Sequence, residues 1–105
     1  MGSVEPVASF DDPRLDDYRH LREPSRRMGV ERERGIFTLE GALSVQALLD
    51  STYRARSILL AAEHAEKLAA RFATDVPTYA VPAATMTEVT GVHFHRGVLA
   101  VGERP

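Results

Sequence analysis

The chain has 105 residues, 13 lysines and arginines against 15 aspartates and glutamates, and a formal net charge of −2. This length suits one small domain, and the slight negative charge argues against a polycation that coats nucleic acid. Because cysteine is absent, disulfides, thiol catalysis and thiolate metal sites are excluded. No apolar run approaches the roughly 20 residues that cross a bilayer, and no signal peptide is recognisable. We therefore expect a soluble cytoplasmic protein with no membrane partner.

The first third of the chain indicates a tail followed by two helices. Residues 1–10 show no apolar period, so we expect a flexible tail. Asp12-Pro13 is typical of a helix start, because aspartate caps the first turn and proline lacks the amide that this turn leaves unpaired. The apolar residues of this helix recur every three positions, at Leu15, Tyr18 and Leu21. A second, very polar helix is predicted from Pro24 to Arg34.

The remaining two thirds alternate strands with helices. Four short segments have strand character, namely 36–39, 58–61, 78–81 and 98–101, and the third of these is expected near a sheet edge. Strands joined by helical crossovers favour a largely parallel sheet with helices on its faces. We predict an α/β fold, a small three-layer sandwich with a four-stranded, largely parallel (mixed) sheet. Its domain should span residues 11–102, with residues 103–105 beginning a linker.

Glu40-Gly41, where the first predicted strand turns into a helix, is the first candidate site. In open α/β sheets ligands bind at the carboxyl ends of strands. Glycine allows another backbone to approach closely, and the following helix start offers free N–H donors to an anion. The same two residues also suit a plain turn without any function.

The loop from Thr90 to Gly97 is the second candidate, with the sequence Thr-Gly-Val-His-Phe-His-Arg-Gly. Arginine suits phosphate, and aromatic or imidazole rings suit stacking on unpaired bases. His93 and His95 also form an H-x-H pair that could hold a metal, although no third ligand is evident. The alternative is a loop that packs its own side chains.

Arginines form the third candidate. Seven of them lie between Arg14 and Arg34, and the chain has a single lysine, Lys67. The planar fork of donors on arginine suits phosphate, and Arg26 and Arg27 are the predicted contacts. Interleaved acidic residues favour the alternative of a solvated, salt-bridged surface.

Four motifs follow one another along the chain. They are Asp12-Pro13-Arg14-Leu15, then Phe37-x-x-Glu40-Gly41, then Leu48-Leu49-x-Ser51-x-Tyr53-x-x-x-Ser57-Ile58-Leu59, and finally Val89-Thr90-Gly91-x-x-x-His95-Arg96-Gly97-Val98-Leu99-Ala100. Together they resemble the N-terminal substrate-binding domain of SpoU/TrmH-family (SPOUT class) RNA 2′-O-ribose methyltransferases. The resemblance runs from about residue 11 to the end, and Thr38 departs from it where the family more often has an aliphatic residue.

The resemblance implies a fold like that of the kink-turn-binding ribosomal proteins and a structured RNA partner, ribosomal or transfer RNA. It places Glu40-Gly41 in an RNA-facing turn and His95-Arg96-Gly97 in a neighbouring loop that faces the same way. With the loop and arginine candidates added, the predicted RNA-binding residues are Glu40, Gly41, Thr90, Gly91, His93, His95, Arg96, Gly97, Arg26 and Arg27.

In that family a following knotted domain binds S-adenosylmethionine, methylates a ribose 2′-hydroxyl and forms the dimer. The resemblance therefore implies a catalytic half missing from this chain, a homodimeric parent enzyme, and a monomeric segment without catalytic, cofactor-binding or metal-binding residues. Two alternatives stay open: a stand-alone protein-interaction or dimerisation module without RNA affinity, and a small metal-dependent enzyme that uses His93 and His95.

Overall fold

A five-stranded mixed sheet forms the centre of the molecule. The computed structural model describes residues 4–19, 21–72, 74–92 and 97–104. The strands are β1 (Val4–Pro6), β2 (Ile36–Glu40), β3 (Arg54–Ala61), β4 (Thr78–Val81) and β5 (Val98–Glu103). Their order across the sheet is β1-β4-β3-β5-β2. β4 is parallel to both of its neighbours, whereas β5 is antiparallel to both of its own.

Helices lie on both sides of this sheet. They are α1 (Pro24–Arg34), α2 (Ala42–Asp50), α3 (Ala65–Arg71) and α4 (Ala83–Thr90), with 3-10 helices at Pro13–Tyr18 and Ala62–His64. The first predicted helix is confirmed in place but is a 3-10 helix, which suits apolar residues spaced by three because such residues lie above one another. Leu15 and Tyr18 are buried in this helix, which ends at Tyr18, whereas Leu21 is buried beyond its end.

Two separate hydrophobic cores show that the molecule has three layers. Along β3, Ile58 and Leu60 pack in the core that contains α2 residues, whereas Leu59 and Ala61 pack in the core that contains the first 3-10 helix and α4. This division follows from the two-residue period of a strand, which points successive side chains to opposite faces. The predicted α/β sandwich is therefore observed.

The prediction of four strands is wrong. A fifth strand, β1, lies in the segment expected to be a flexible tail, and it pairs with β4 from Val4 opposite Thr78 to Pro6 opposite Ala80. β4 consequently lies second from the edge of the sheet, near an edge as expected, with β1 outside it. A three-residue strand is too short to show an alternating pattern, so no periodicity could reveal it.

The predicted mixed sheet is observed, but parallel pairing does not dominate it, because β5 runs antiparallel between β2 and β3. β2 and β3 themselves run the same way, as strands joined by a helix should. The chain enters β5 at the end of the sheet where β3 finishes, since Ala61 N donates to Gly97 O at 2.8 Å. A continuously apolar strand sequence does not encode whether its neighbours run parallel or antiparallel to it. The apolar pattern of β5 therefore could not predict its antiparallel pairing.

α1 covers the outer edge of β2 rather than a core. Among the side chains that the structure describes in this helix, none is buried. Arg27 Nη2 donates to Thr38 O at 3.3 Å, and Thr38 N donates to Glu31 Oε2 at 3.0 Å. The amide and carbonyl of Thr38 lie on the open side of an edge strand. The Arg27 and Glu31 side chains therefore satisfy backbone groups that could otherwise pair with a strand of another molecule.

Asp12 caps the first 3-10 helix, and its charge makes the stability of the fold depend on pH. The side-chain and backbone hydrogen bonds from Arg14 lower the pKa of Asp12 from 3.8 to about 2. A carboxyl whose pKa is lower in the folded chain stabilises the fold above its ordinary pKa and loses that contribution as the pH falls through the folded value. The stability advantage of wild type over Asp12→Asn should therefore be constant above about pH 5 and shrink between about pH 4 and pH 2.

Urea unfolding at pH 6, 4, 3 and 2 (roughly the span of this titration) checks that prediction. Asparagine keeps an oxygen that can cap the helix, so the comparison isolates the charge. Glu66→Gln is the control, because the exposed Glu66 carboxylate has no hydrogen bond or ion pair within the described residues. A difference between wild type and Asp12→Asn that does not change with pH would contradict the assignment.

Candidate nucleic-acid interface

One end of the sheet brings together the predicted Glu40-Gly41 turn and Gly97. β2, β3 and β4 finish at this end and β5 starts there, so we call residues 40–41, 61–64, 81–83 and 97–98 the carboxyl rim. Gly41 N donates to Val98 O at 3.1 Å, and Ala61 N donates to Gly97 O at 2.8 Å. Two candidate segments that lie far apart in the sequence are therefore adjacent in space.

The two glycines of the rim meet different steric requirements. Gly41, immediately before α2, has φ 95° and ψ 149°, a conformation that essentially only glycine adopts. Gly97 has φ 66°, and a Cβ there would lie 3.2 Å from Ala61 Cβ and 3.3 Å from His64 Cδ2. Backbone conformation thus accounts for Gly41, and close packing together with a positive φ accounts for Gly97, while the neighbouring Glu40 side chain is exposed.

Thr90 and Gly91 close α4 beside the segment that leads into α1. Thr90 Oγ1 donates to Met86 O at 2.9 Å and accepts from Val92 N at 3.1 Å, which fixes the turn after the helix. A Cβ on Gly91 would lie 3.1 Å from Arg22 Cβ. Thr90-Gly91 therefore lies beside Arg22 and not beside the Glu40-Gly41 turn.

Arg26 and Arg27 occupy unequal positions on α1. Arg27 donates to Thr38 O and lies 3.7 Å from a carboxylate oxygen of Glu31, so its guanidinium supports the sheet edge. The Arg26 side chain is 60% exposed, with a weak 4.0 Å ion pair to Glu23. Of the two predicted phosphate contacts, Arg26 is the one available to a ligand.

His93, His95 and Arg96 lie outside the described residues, so their predicted roles remain predictions. Within the described ranges, no group of three or more histidine, aspartate or glutamate side chains is placed to hold a metal ion. The helices of those same ranges include none that is long and apolar enough to cross a membrane.

Two polar residues near these candidates, Glu63 and His64, were missed by sequence reasoning, whereas Arg22 was noted only as a member of the arginine-rich stretch. Glu63 accepts from Ala83 N with both carboxylate oxygens, at 3.0 and 3.2 Å, and so joins the turn after β3 to the start of α4. His64 is exposed beside Gly97. Its position just after a predicted strand was a usable signal, whereas nothing in the sequence places Arg22 against Gly91.

Comparison with known proteins gives relatives of one kind. The chain is 34% identical over 102 residues to uncharacterized tRNA/rRNA methyltransferases of Mycobacterium tuberculosis and Mycobacterium bovis, covering 96% of this chain and 35% of each relative. No protein-family model matches the chain.

Solved structures share the fold at low identity. An rRNA methyltransferase from Sinorhizobium meliloti, also solved with bound AdoMet, superposes with a TM-score of 0.69 at 22% identity, covering 99% of this chain and 38% of that one. An RNA 2′-O ribose methyltransferase gives a TM-score of 0.66 at 16% identity over 95% of this chain and 38% of the other. The SpoU methyltransferase AviRb from Streptomyces viridochromogenes gives a TM-score of 0.63 at 17% identity, covering 90% of this chain and 34% of that one.

The chain is thus similar to one part of tRNA/rRNA methyltransferases, and it shares its fold with a SpoU methyltransferase. This confirms the resemblance that the four motifs indicated. The match to these methyltransferases extends over the whole described sandwich, from β1 to β5, and the chain spans about a third of the length of the relatives.

Proposed function

We propose that this chain is the RNA substrate-binding part of an S-adenosylmethionine-dependent ribose 2′-O-methyltransferase of the SpoU type, acting in the cytoplasm on ribosomal or transfer RNA. The observation that carries the proposal is the 34% identity across 96% of the chain to proteins named as tRNA/rRNA methyltransferases. Because the chain spans 35% of those proteins, we assign cofactor binding, methyl transfer and dimerisation to the rest of the enzyme.

The carboxyl rim supports an RNA-binding role on physical grounds. Structured RNA is recognised through its shape, its phosphates and its unpaired bases, which requires exposed polar groups and close backbone approach rather than a deep pocket. The rim offers the exposed Glu40 carboxylate beside the glycine turn at Gly41, and Arg26 projects from the adjoining helix. With a net charge of −2, we expect weak binding that depends on a few well-placed arginines.

An NMR titration of the labelled chain with a ribosomal RNA hairpin at low salt tests the proposal. Amide shifts should cluster at residues 40–41 and 90–97. Arg26→Gln should weaken binding several-fold and reduce the slope of log affinity against log salt by about 1, as expected for one lost phosphate contact. Arg32→Gln is the matched control, since Arg32 is exposed near the other end of the same helix.

Shifts that spread evenly over the chain, or that are absent at low salt, would reject the proposal. Light scattering distinguishes the alternative of a protein-interaction module. A stable dimer of this chain without RNA affinity would favour that alternative, whereas a monomer that binds the hairpin would exclude it.

A further inference from the structure

We propose that a groove between Phe10, Arg22 and the end of α4 is a subsite for one unpaired nucleotide of the RNA, with a base that carries an exocyclic amino group. This inference rests on the proposed function and deepens it. The groove, which we call the Phe10–Arg22 groove, is open to solvent and has a volume of about 290 Å³. Its walls include Phe10, Arg22, Glu23, Glu88, Val89 and Gly91.

Arg22 supplies an uncommitted cation in this groove. Within the described residues its guanidinium has neither a hydrogen bond nor an ion pair. The neighbouring Arg19, by contrast, donates from Nε to Asp16 Oδ1 at 3.0 Å and from Nη2 to Asp12 O at 3.2 Å. The donors of Arg22 are therefore available to a phosphate, which arginine binds through two parallel hydrogen bonds.

Gly91 determines where this arginine can lie. Its φ of 77° ends α4 in the left-handed conformation, and a Cβ there would lie 3.1 Å from Arg22 Cβ. A larger residue would thus push the arginine stem away from the helix end. The position where the sequence predicted an RNA contact, Gly91, is therefore the position that allows Arg22 to line the groove.

Phe10 supplies an exposed aromatic face on another wall. It is 52% exposed, and it has no ring partner in the described part of the chain, whereas the equally exposed Tyr53 packs at 5.4 Å against Phe37. Unpaired bases stack on such rings whatever their identity, because every base has a π face. An exposed phenylalanine beside a free arginine suits one nucleotide, with its base on the ring and its phosphate on the guanidinium.

The carboxylates of Glu23 and Glu88 add a preference among bases. A carboxylate only accepts hydrogen bonds. It can therefore pair with the exocyclic amino group of cytosine, adenine or guanine, whereas uracil presents O4, an acceptor, at the position of the cytosine amino group. The volume of about 290 Å³ suits a single small ligand rather than a peptide segment.

The test uses hairpin RNAs that differ only at one position in the stem, which is either fully paired or carries a single bulged cytosine or uracil. Fluorescence anisotropy measures the affinity of the whole chain for each. Wild type should prefer the cytosine bulge to the paired stem by about fivefold or more, the range that one stacked base supplies. Phe10→Ala and Arg22→Gln should abolish that preference, and Glu88→Gln should remove the preference for cytosine over uracil.

Two controls keep folding and general RNA affinity separate from the subsite. Tyr53→Ala removes an aromatic ring of the same exposure, 50%, and Arg32→Gln removes an exposed arginine elsewhere. Neither should change the ratio between bulged and paired hairpins. If wild type binds all hairpins equally, or if Phe10→Ala keeps the preference, the subsite is wrong and the proposed function stands. If wild type binds no hairpin, both are rejected.

Discussion

Replacing Gly102 by alanine should lower the free energy of unfolding by about 1–3 kcal/mol, the usual effect of forcing extra atoms into a packed site. Gly102 lies opposite Phe37 in the pairing of β2 with β5. A Cβ on Gly102 would lie 2.8 Å from Phe37 Cε2 and closer still to Cζ. The Phe37 ring would have to shift, which disturbs its T-shaped contact with Tyr53, whose ring centroid lies 5.4 Å away.

Urea unfolding of a double-mutant cycle checks this expectation. In a Phe37→Leu background the ring is absent, so Gly102→Ala should cost much less there than in wild type. Gly29→Ala is the matched control: it lies inside α1 with nothing within 4 Å of the added Cβ, and it should stabilise the helix by about 0.5–1 kcal/mol. If the effects of Gly102→Ala and Phe37→Leu on the free energy of unfolding are additive, the added Cβ does not clash with the Phe37 ring.

Removing the hydroxyl of Tyr18 should also destabilise the chain, by about 1–3 kcal/mol, because the change leaves a buried polar partner unsatisfied. Tyr18 is fully buried, and its hydroxyl lies 2.7 Å from Ser57 Oγ. This hydrogen bond joins the first 3-10 helix to β3 inside the core. Burial raises the pKa of Tyr18 well above its usual range, so the hydroxyl stays protonated and the bond persists in alkaline solution.

Substituting the hydrogen-bond partner, Ser57, distinguishes a lost hydrogen bond from a general packing defect. Ser57→Ala in the Tyr18→Phe background removes the orphaned hydroxyl, so the double variant should be more stable than the sum of the single changes predicts. Tyr79→Phe is the control, since Tyr79 lies partly exposed beneath Arg14 and should change little. A neutral Tyr18→Phe, measured by thermal and urea unfolding, would contradict this account.

Local signals in the sequence predicted the bounds of α1 correctly. α1 begins at Pro24 and ends at Arg34 as expected, because proline suits the first helical position and Gly35 adopts the left-handed conformation, φ 66°, that ends a helix. Each of these signals acts over one or two turns of chain, so neighbouring residues are enough to specify it.

Contacts between distant segments were not predictable in the same way. β1 is too short to have a pattern and becomes a strand because β4 offers it unpaired backbone groups. Arg27 resembles a phosphate contact in the sequence, yet it donates to the backbone of β2 in the fold. Both outcomes depend on which element arrives alongside, and an isolated stretch of sequence does not carry that information.

The sequence by itself indicated an α/β fold and motifs that resemble a part of the SpoU/TrmH-family RNA methyltransferases. It also singled out the glycine turns at Gly41, Gly91 and Gly97, since glycine marks backbone conformations that other residues avoid. Only the tertiary structure decided that Gly41 and Gly97 share one rim while Gly91 lies against Arg22. The reason is the order of the strands: β5 enters between β2 and β3 in the opposite direction, and that placement brings residues over 50 positions apart into hydrogen-bond contact.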